Sequence, residues 1–206
     1  MSWRMLLDLI FPPQCAGCNA LGSGFCRACA RAQTIRIGLP TLRVTAFGPY
    51  EGTLRSAVLA LKDGRRDVAE ALGHVVAPLI EPGAPLVPIP TTAKRRRVRG
   101  LDGVALVARF AAEIAGAQIL SALQHRSGPP QHGRSRIARL AARGRFVCDS
   151  TSVAGKRIVL FDDVCTTGST LRDCADAVRE AGGLIQDAVV LAVTKTDAPW
   201  RIPVAG

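Results

Sequence analysis

Two acids followed by a knot of hydroxyls are the residues with the clearest chemistry in this 206-residue chain. They stand in the string Asp162-Asp163-Val164-Cys165-Thr166-Thr167-Gly168-Ser169-Thr170. Thr166, Thr167, Ser169 and Thr170 carry hydroxyls that donate to phosphate oxygens, and Gly168 lets the backbone approach closely. Asp162 and Asp163 accept but do not donate when ionised, which suits sugar hydroxyls, and they can hold a hydrated Mg²⁺. The string is not a Walker loop, and no G-x-G-x-x-G follows a strand. The chemistry it suggests is the holding of a ribose phosphate. The plainer alternative is a capped helix after a buried strand, with two exposed acids.

A second set is Cys15, Cys18, Cys26 and Cys29. Two C-x₂-C pairs supply four thiolates, the number for a closed tetrahedral Zn²⁺ site with a structural role. Gly17, Gly22 and Gly24 permit the turns that bring the sulfurs together. Free thiols, a redox pair and an iron–sulfur cluster are the competing readings. A third set is basic: Lys94, Arg95, Arg96, Arg97 and Arg99. A charge run is ordinarily a solvated face. This one leaves a short apolar segment, so Arg97 and Arg99, nearest to Gly100, are candidates to meet a pyrophosphate.

These residues must be positioned by surrounding elements. The apolar run 157–161 reads as a buried parallel strand and 171–180 as an amphipathic helix beginning at Ser169 or Thr170 and well capped there. The hydroxyl turn then lies at a strand's carboxyl end and a helix's amino end, where α/β sheets bind anions. Further helices are expected at 3–10, 53–62, 67–80 and 103–115, with strands at 42–47, 86–90, 119–123 and 185–193. Residues 124–134 read as a mobile loop. Organisation is expected as residues 1–40 for a short helix and the cysteine module, 41–195 for the α/β domain, and 196–206 for a tail.

Hydrophobic residues make up 48% of the chain and charged residues 21%, so it has the composition of a folded domain and not of a disordered one. The net charge of +11 points to a polyanionic partner: a phosphorylated sugar, single-stranded nucleic acid such as DNA, or both. No apolar stretch approaches the length of a membrane span, so no membrane insertion is expected. Seven cysteines, four of them in close pairs, suit metal ligation in a cytoplasmic protein.

The segment from Leu160 to Thr170 resembles the 5-phosphoribosyl 1-pyrophosphate (PRPP) signature of type I phosphoribosyltransferases. The resemblance implies an α/β fold, a parallel sheet flanked by helices with a small N-terminal Cys₄ zinc-binding module. It implies that Asp162 and Asp163 serve as catalytic residues on the ribose hydroxyls. Val164, Thr166, Thr167, Gly168, Ser169 and Thr170 would complete the PRPP contacts, and Mg²⁺ would accompany PRPP. More widely, the chain resembles the ComF family, which includes the competence protein ComFC and the related GntX proteins. The resemblance is carried by the four cysteines, Tyr50-Glu51-Gly52, Leu61-Lys62-Asp63-Gly64, Val87-Pro88-Ile89-Pro90, Arg97-Val98-Arg99-Gly100, Gln131 and Arg139. It implies either transfer of a phosphoribosyl group to an acceptor or a non-catalytic accessory role in DNA uptake. Leu101-Asp102-Gly103 departs from the family's aromatic-and-amide pattern at this point.

Overall fold

The computed structural model describes residues 12–31, 34–91, 102–126, 144–194 and 202–203. Its strands are β1 (Ile35–Leu39), β2 (Leu42–Pro49), β3 (Pro85–Pro88), β4 (Gln118–Ile119), β5 (Leu123–His125), β6 (Phe146–Cys148), β7 (Arg157–Cys165), β8 (Leu184–Val193) and β9 (Ile202–Pro203). Its helices are α1 (Gly52–Lys62), α2 (Arg66–Val76), α3 (Gly103–Ala115), α4 (Ser150–Val153) and α5 (Ser169–Glu180), with a 3₁₀ turn at Ala77–Leu79. The main sheet runs β4-β3-β7-β8-β2-β1-β9. Pairs from β4 to β2 are parallel, and β1 joins β2 and β9 antiparallel. Strands β5 and β6 form a separate antiparallel pair. The fold is α/β, as expected.

Strand β7 lies inside the sheet between β3 and β8, and both of its faces are covered. Ile158, Val159, Leu160 and Phe161 are all buried, so the run is continuously apolar instead of alternating. Successive side chains still point to opposite faces. Val159 and Phe161 pack with Leu54, Val58, Leu72 and Val107 of α1, α2 and α3. Ile158 and Leu160 pack with Leu171, Cys174 and Val178 of α5, and with Ile37 and Phe146. A chain with 4% aromatic residues fills these layers with small side chains. At the crossing of α2 and α3 a Cβ on Gly73 would come within 2.5 Å of Phe110 Cβ.

The cysteine module is joined to the helical layer. Cys15 and Phe25 are buried in the same core as α1, α2 and α3. Thr53 Oγ1 of α1 donates to the Cys29 carbonyl at 3.0 Å, and Arg65 reaches the Gln14 carbonyl.

Several expectations change. The sequence reading gave no strand before residue 42, yet β1 pairs with β2 along its whole length. Residues 119–123, read as one strand, divide between β4 in the main sheet and β5 in the small one. The chain leaves the sheet after Leu120, whose amide donates to Leu86. Gln124 and His125, read as loop, are paired strand residues. The expected helix at 3–10, the basic run with Arg97 and Arg99, and Gln131 and Arg139 lie outside the described residues.

Asp102 has a structural task. Its carboxylate accepts from the Ala105 amide at 3.2 Å as the N-cap of α3. The same carboxylate accepts from Thr91 N at 3.2 Å and Thr91 Oγ1 at 3.1 Å, so Thr91 is tied to the start of α3. Gly103 beside it packs closely, since a Cβ there would meet the Leu61 side chain at 3.0 Å. Asp102→Ala should lower stability by about 1–2 kcal/mol, the range for a lost N-cap with a second hydrogen bond. Urea unfolding followed by circular dichroism measures it. No change in midpoint would contradict this role.

Candidate functional site

Strand β7 carries both acids before it ends at Cys165. Each carboxylate accepts from the amide of the next residue: Asp163 N to Asp162 Oδ1 at 2.8 Å, and Val164 N to Asp163 Oδ1 at 2.7 Å. The second oxygen of Asp163 lies 3.3 Å from Lys62 Nζ, at the last residue of α1. The same ammonium stands 5.9 Å from the centre of the Tyr50 ring. Asp162 keeps some exposed surface, but its carboxyl is closely surrounded. Burial, and then the neighbouring Asp163 charge, push its pKa well above the usual carboxylate range. A ligand that donates hydrogen bonds or brings a cation would relieve both penalties. Val164 is half-buried, and its side chain packs against the core beneath α1 to α3.

The turn after β7 exposes Thr166 and Thr167, buries Gly168, and leaves Ser169 and Thr170 half-buried. Gly168 is the N-cap residue of α5, with φ 72° and no side-chain cap. The hydroxyl cap expected from the sequence is therefore not what starts the helix. Thr167 Oγ1 instead accepts weakly from Ser169 N at 3.4 Å and donates to Ser169 Oγ at 3.2 Å. Gly168 is needed for two reasons. Its left-handed backbone disfavours any side chain, and a Cβ would come within 2.6 Å of Leu39 Cδ1. Gly168→Ala should cost about 1–2 kcal/mol of backbone strain and push the turn off β1. The expected result is a lower melting temperature together with weaker sugar-phosphate binding, read by differential scanning fluorimetry with and without ligand. Unchanged values in both would contradict this.

Arg145, one residue before β6, comes to the same turn. Its Nη2 donates to Ser169 Oγ at 3.4 Å and Thr170 Oγ1 at 3.3 Å, while Nε donates to Asp173 Oδ2 at 2.7 Å. In the sequence Arg145 does not stand out, and Lys62 appears only within the Leu61-Lys62-Asp63-Gly64 motif. Their importance comes from contacts across 24 and 101 positions, which local pattern does not carry. His125 is engaged elsewhere: its Nε2 lies 2.9 Å from the Pro90 carbonyl, and its ring is 4.6 Å from that of Phe146.

The four cysteines meet as the spacing implied. Their sulfurs all lie within 4.8 Å of one another, and Cys18 and Cys26 approach to 3.6 Å. Tetrahedral Zn²⁺ with bonds of about 2.3 Å separates its sulfurs by roughly 3.8 Å, so the cluster is compatible with that ion. Cys15 Sγ accepts from Gly17 N at 3.4 Å and Cys26 N at 3.3 Å. Burial raises the Cys15 pKa, but the amide hydrogen bonds outweigh it and bring the thiol down to about 6. Burial and the neighbouring thiols push Cys29 upward. Four sulfurs that compete for protons at close range favour a shared cation. Gly17 makes room: a Cβ there would meet Cys29 Sγ at 2.8 Å.

A phosphoribosyl transferase domain model matches residues 103–205, half of the 206-residue chain. The chain belongs to this family. The chain is 36% identical over 80 residues to an orotate phosphoribosyltransferase of Methanopyrus kandleri, covering 38% of this chain and 42% of that one. It is 36% identical over 104 residues to the transcriptional regulator GfcR 2 of Methanosarcina barkeri, covering 50% and 46%. The chain thus spans less than half the length of these curated relatives. Adenine phosphoribosyltransferase from Thermoanaerobacter pseudethanolicus superposes with TM-score 0.42 at 12% identity, over 64% of this chain and 83% of that one.

Proposed function

We propose that this chain binds PRPP, or another ribose 5-phosphate, and transfers the phosphoribosyl group to an acceptor with release of pyrophosphate. The observation that carries this reading is one juxtaposition. Two acids stand near the carboxyl end of an interior strand, and the hydroxyl turn that follows is met by Arg145 from another element. In this reading Asp162 and Asp163 accept the ribose 2- and 3-hydroxyls. Thr166, Thr167, Ser169 and Thr170 donate to the 5-phosphate, and Gly168 lets the backbone close on it. Lys62 keeps Asp163 oriented by its ion pair. Mg²⁺ held by the carboxylates and the substrate's own oxygens would supply positive charge to the departing pyrophosphate. The remaining work of the chain is to fix the sugar and orient C1, which is where such reactions gain most of their rate.

The cysteine cluster supports a structural Zn²⁺ at Cys15, Cys18, Cys26 and Cys29, with no position left open for chemistry. The motifs at residues 50–52, 61–64 and 87–90 support placement within the ComF family. Assay of pyrophosphate release from PRPP and Mg²⁺ across purine and pyrimidine bases tests transfer. Release with at least one base is expected, and none with any would remove the transfer step.

The similarity to a transcriptional regulator over half of the chain favours a second reading, in which the site senses PRPP and the +11 charge meets single-stranded DNA. Binding to labelled single strands across a salt series discriminates. A steep salt slope relieved by PRPP supports this reading, and no binding at moderate salt ends it.

A further inference from the structure

Arg145 is built into its position from three directions. Its carbonyl accepts from Arg126 N at 2.9 Å, which extends the β5–β6 pairing by one residue and fixes the backbone. Its Nε is held by Asp173, on the second turn of α5, at 2.7 Å. Its Nη2 rests on Ser169 Oγ and Thr170 Oγ1 at 3.4 and 3.3 Å. Those are long, neutral contacts for a guanidinium, whose strong partners are anionic oxygens at shorter range. The side chain is 57% exposed, so the fork is fixed at its base and open at its tip. Asp173 would repel an incoming anion if it stood alone. Bound to Arg145, it becomes part of the support.

We propose that Arg145 is a direct ligand of the terminal phosphate of the sugar phosphate, contributed by an element outside the strand–turn–helix signature. This inference rests on the sugar-phosphate reading and adds a specificity to it. The guanidinium recognises the 5-phosphate monoester and makes no contact with the pyrophosphate end. Arginine suits this role because its fork stays charged and keeps its geometry, whereas a lysine in its place would offer charge without the paired donors. Pre-ordering by Arg126 and Asp173 lowers the cost of immobilising it on binding.

The test is isothermal titration of the full chain with ribose 5-phosphate, with PRPP and with pyrophosphate alone. The variants are Arg145→Gln, Arg145→Lys and Asp173→Asn. Arg145→Gln should weaken ribose 5-phosphate and PRPP by roughly 10- to 100-fold, the range for a lost charge-assisted hydrogen bond. Pyrophosphate affinity should stay within about threefold. Arg145→Lys should recover part of the loss, and Asp173→Asn should show a smaller loss of the same selectivity. Thermal melts establish that each variant is folded. Equal weakening of all three ligands would reduce Arg145 to general electrostatics and overturn the inference, as would wild-type affinity in a folded Arg145→Gln. Wild-type protein that binds neither phosphorylated sugar would instead overturn the reading on which the inference depends.

Discussion

Asp162→Asn is expected to bind PRPP roughly 10- to 100-fold more weakly than wild type, the loss of one charge-assisted hydrogen bond, and yet to melt at a higher temperature. The two effects share a cause. Burial and the Asp163 charge raise the Asp162 pKa well above the ordinary carboxylate range, so the free protein holds a proton there that the unfolded chain gives up. Between the unfolded pKa of about 4 and the raised folded value, the native state binds more protons than the unfolded one. Stability therefore falls as pH rises through that window. Asparagine removes the titration and can still accept the Asp163 amide, so the fall should flatten and stability at neutral pH should rise. Ligand acts in the opposite sense. Ribose hydroxyls donate to the ionised carboxylate, so binding should expel a proton and affinity should climb with pH. Calorimetry in two buffers of different ionisation heat counts that proton. The ligand's own titration cancels when wild type is compared with Asp162→Asn. Equal proton release by both proteins would contradict the assignment, and so would a less stable variant. Destabilised functional groups that oppose stability in this way are common at binding sites.

Loss of the cysteine cluster is expected to have the larger effect on stability. Cys15 is fully buried, and with Phe25 it belongs to the same core as α1, α2 and α3. The module therefore cannot unravel without opening that layer. Structural Zn²⁺ contributes free energy comparable to the whole stability of a domain, about 10 kcal/mol or more in small zinc modules. Cys15→Ser removes a ligand and the sulfur on which two amides converge. The expected result is a substoichiometric metal content, with unfolding or a steep fall in melting temperature. Chelator treatment of wild type should reproduce the fall, and added Zn²⁺ should reverse it. Elemental analysis showing no zinc, with chelator-insensitive melting, would contradict the metal reading.

Much of this was legible in the sequence, for reasons that can be named. Residues 157–161 are a continuous apolar run because β7 is covered on both faces, and that pattern needs no tertiary knowledge. The cysteines declared themselves by spacing, since four thiols at such intervals have few other uses. Strand β1 was missed although Ile35, Ile37 and Leu39 alternate with Arg36 and Gly38 as in a half-buried strand, because the run is only five residues long. Its strand character comes from pairing with β2. The start of α5 at Ser169 agrees with the sequence, but its expected hydroxyl cap does not, because the N-cap residue is Gly168. Leu39, distant in sequence, leaves no room for a side chain there, and the nearby hydroxyls are left to face a ligand. Asp102 departs from the family pattern in the sequence, and only the fold shows that its carboxylate ties Thr91 to the start of α3. Arg145 could not be singled out, because nothing local distinguishes it from the chain's other basic residues, and the motif that holds Lys62 does not show that it pairs with Asp163.

The central claim is that the acids of β7 and the turn behind them hold a phosphorylated pentose. Calorimetric titration of zinc-quantified wild-type protein with PRPP in the presence of Mg²⁺ tests it most directly. Saturable binding at one site per chain, in the micromolar to submillimolar range usual for enzyme substrates and severely weakened by Asp162→Asn, is the predicted outcome. A folded, metal-replete protein that gives no heat with PRPP, and no protection from thermal unfolding, would contradict it.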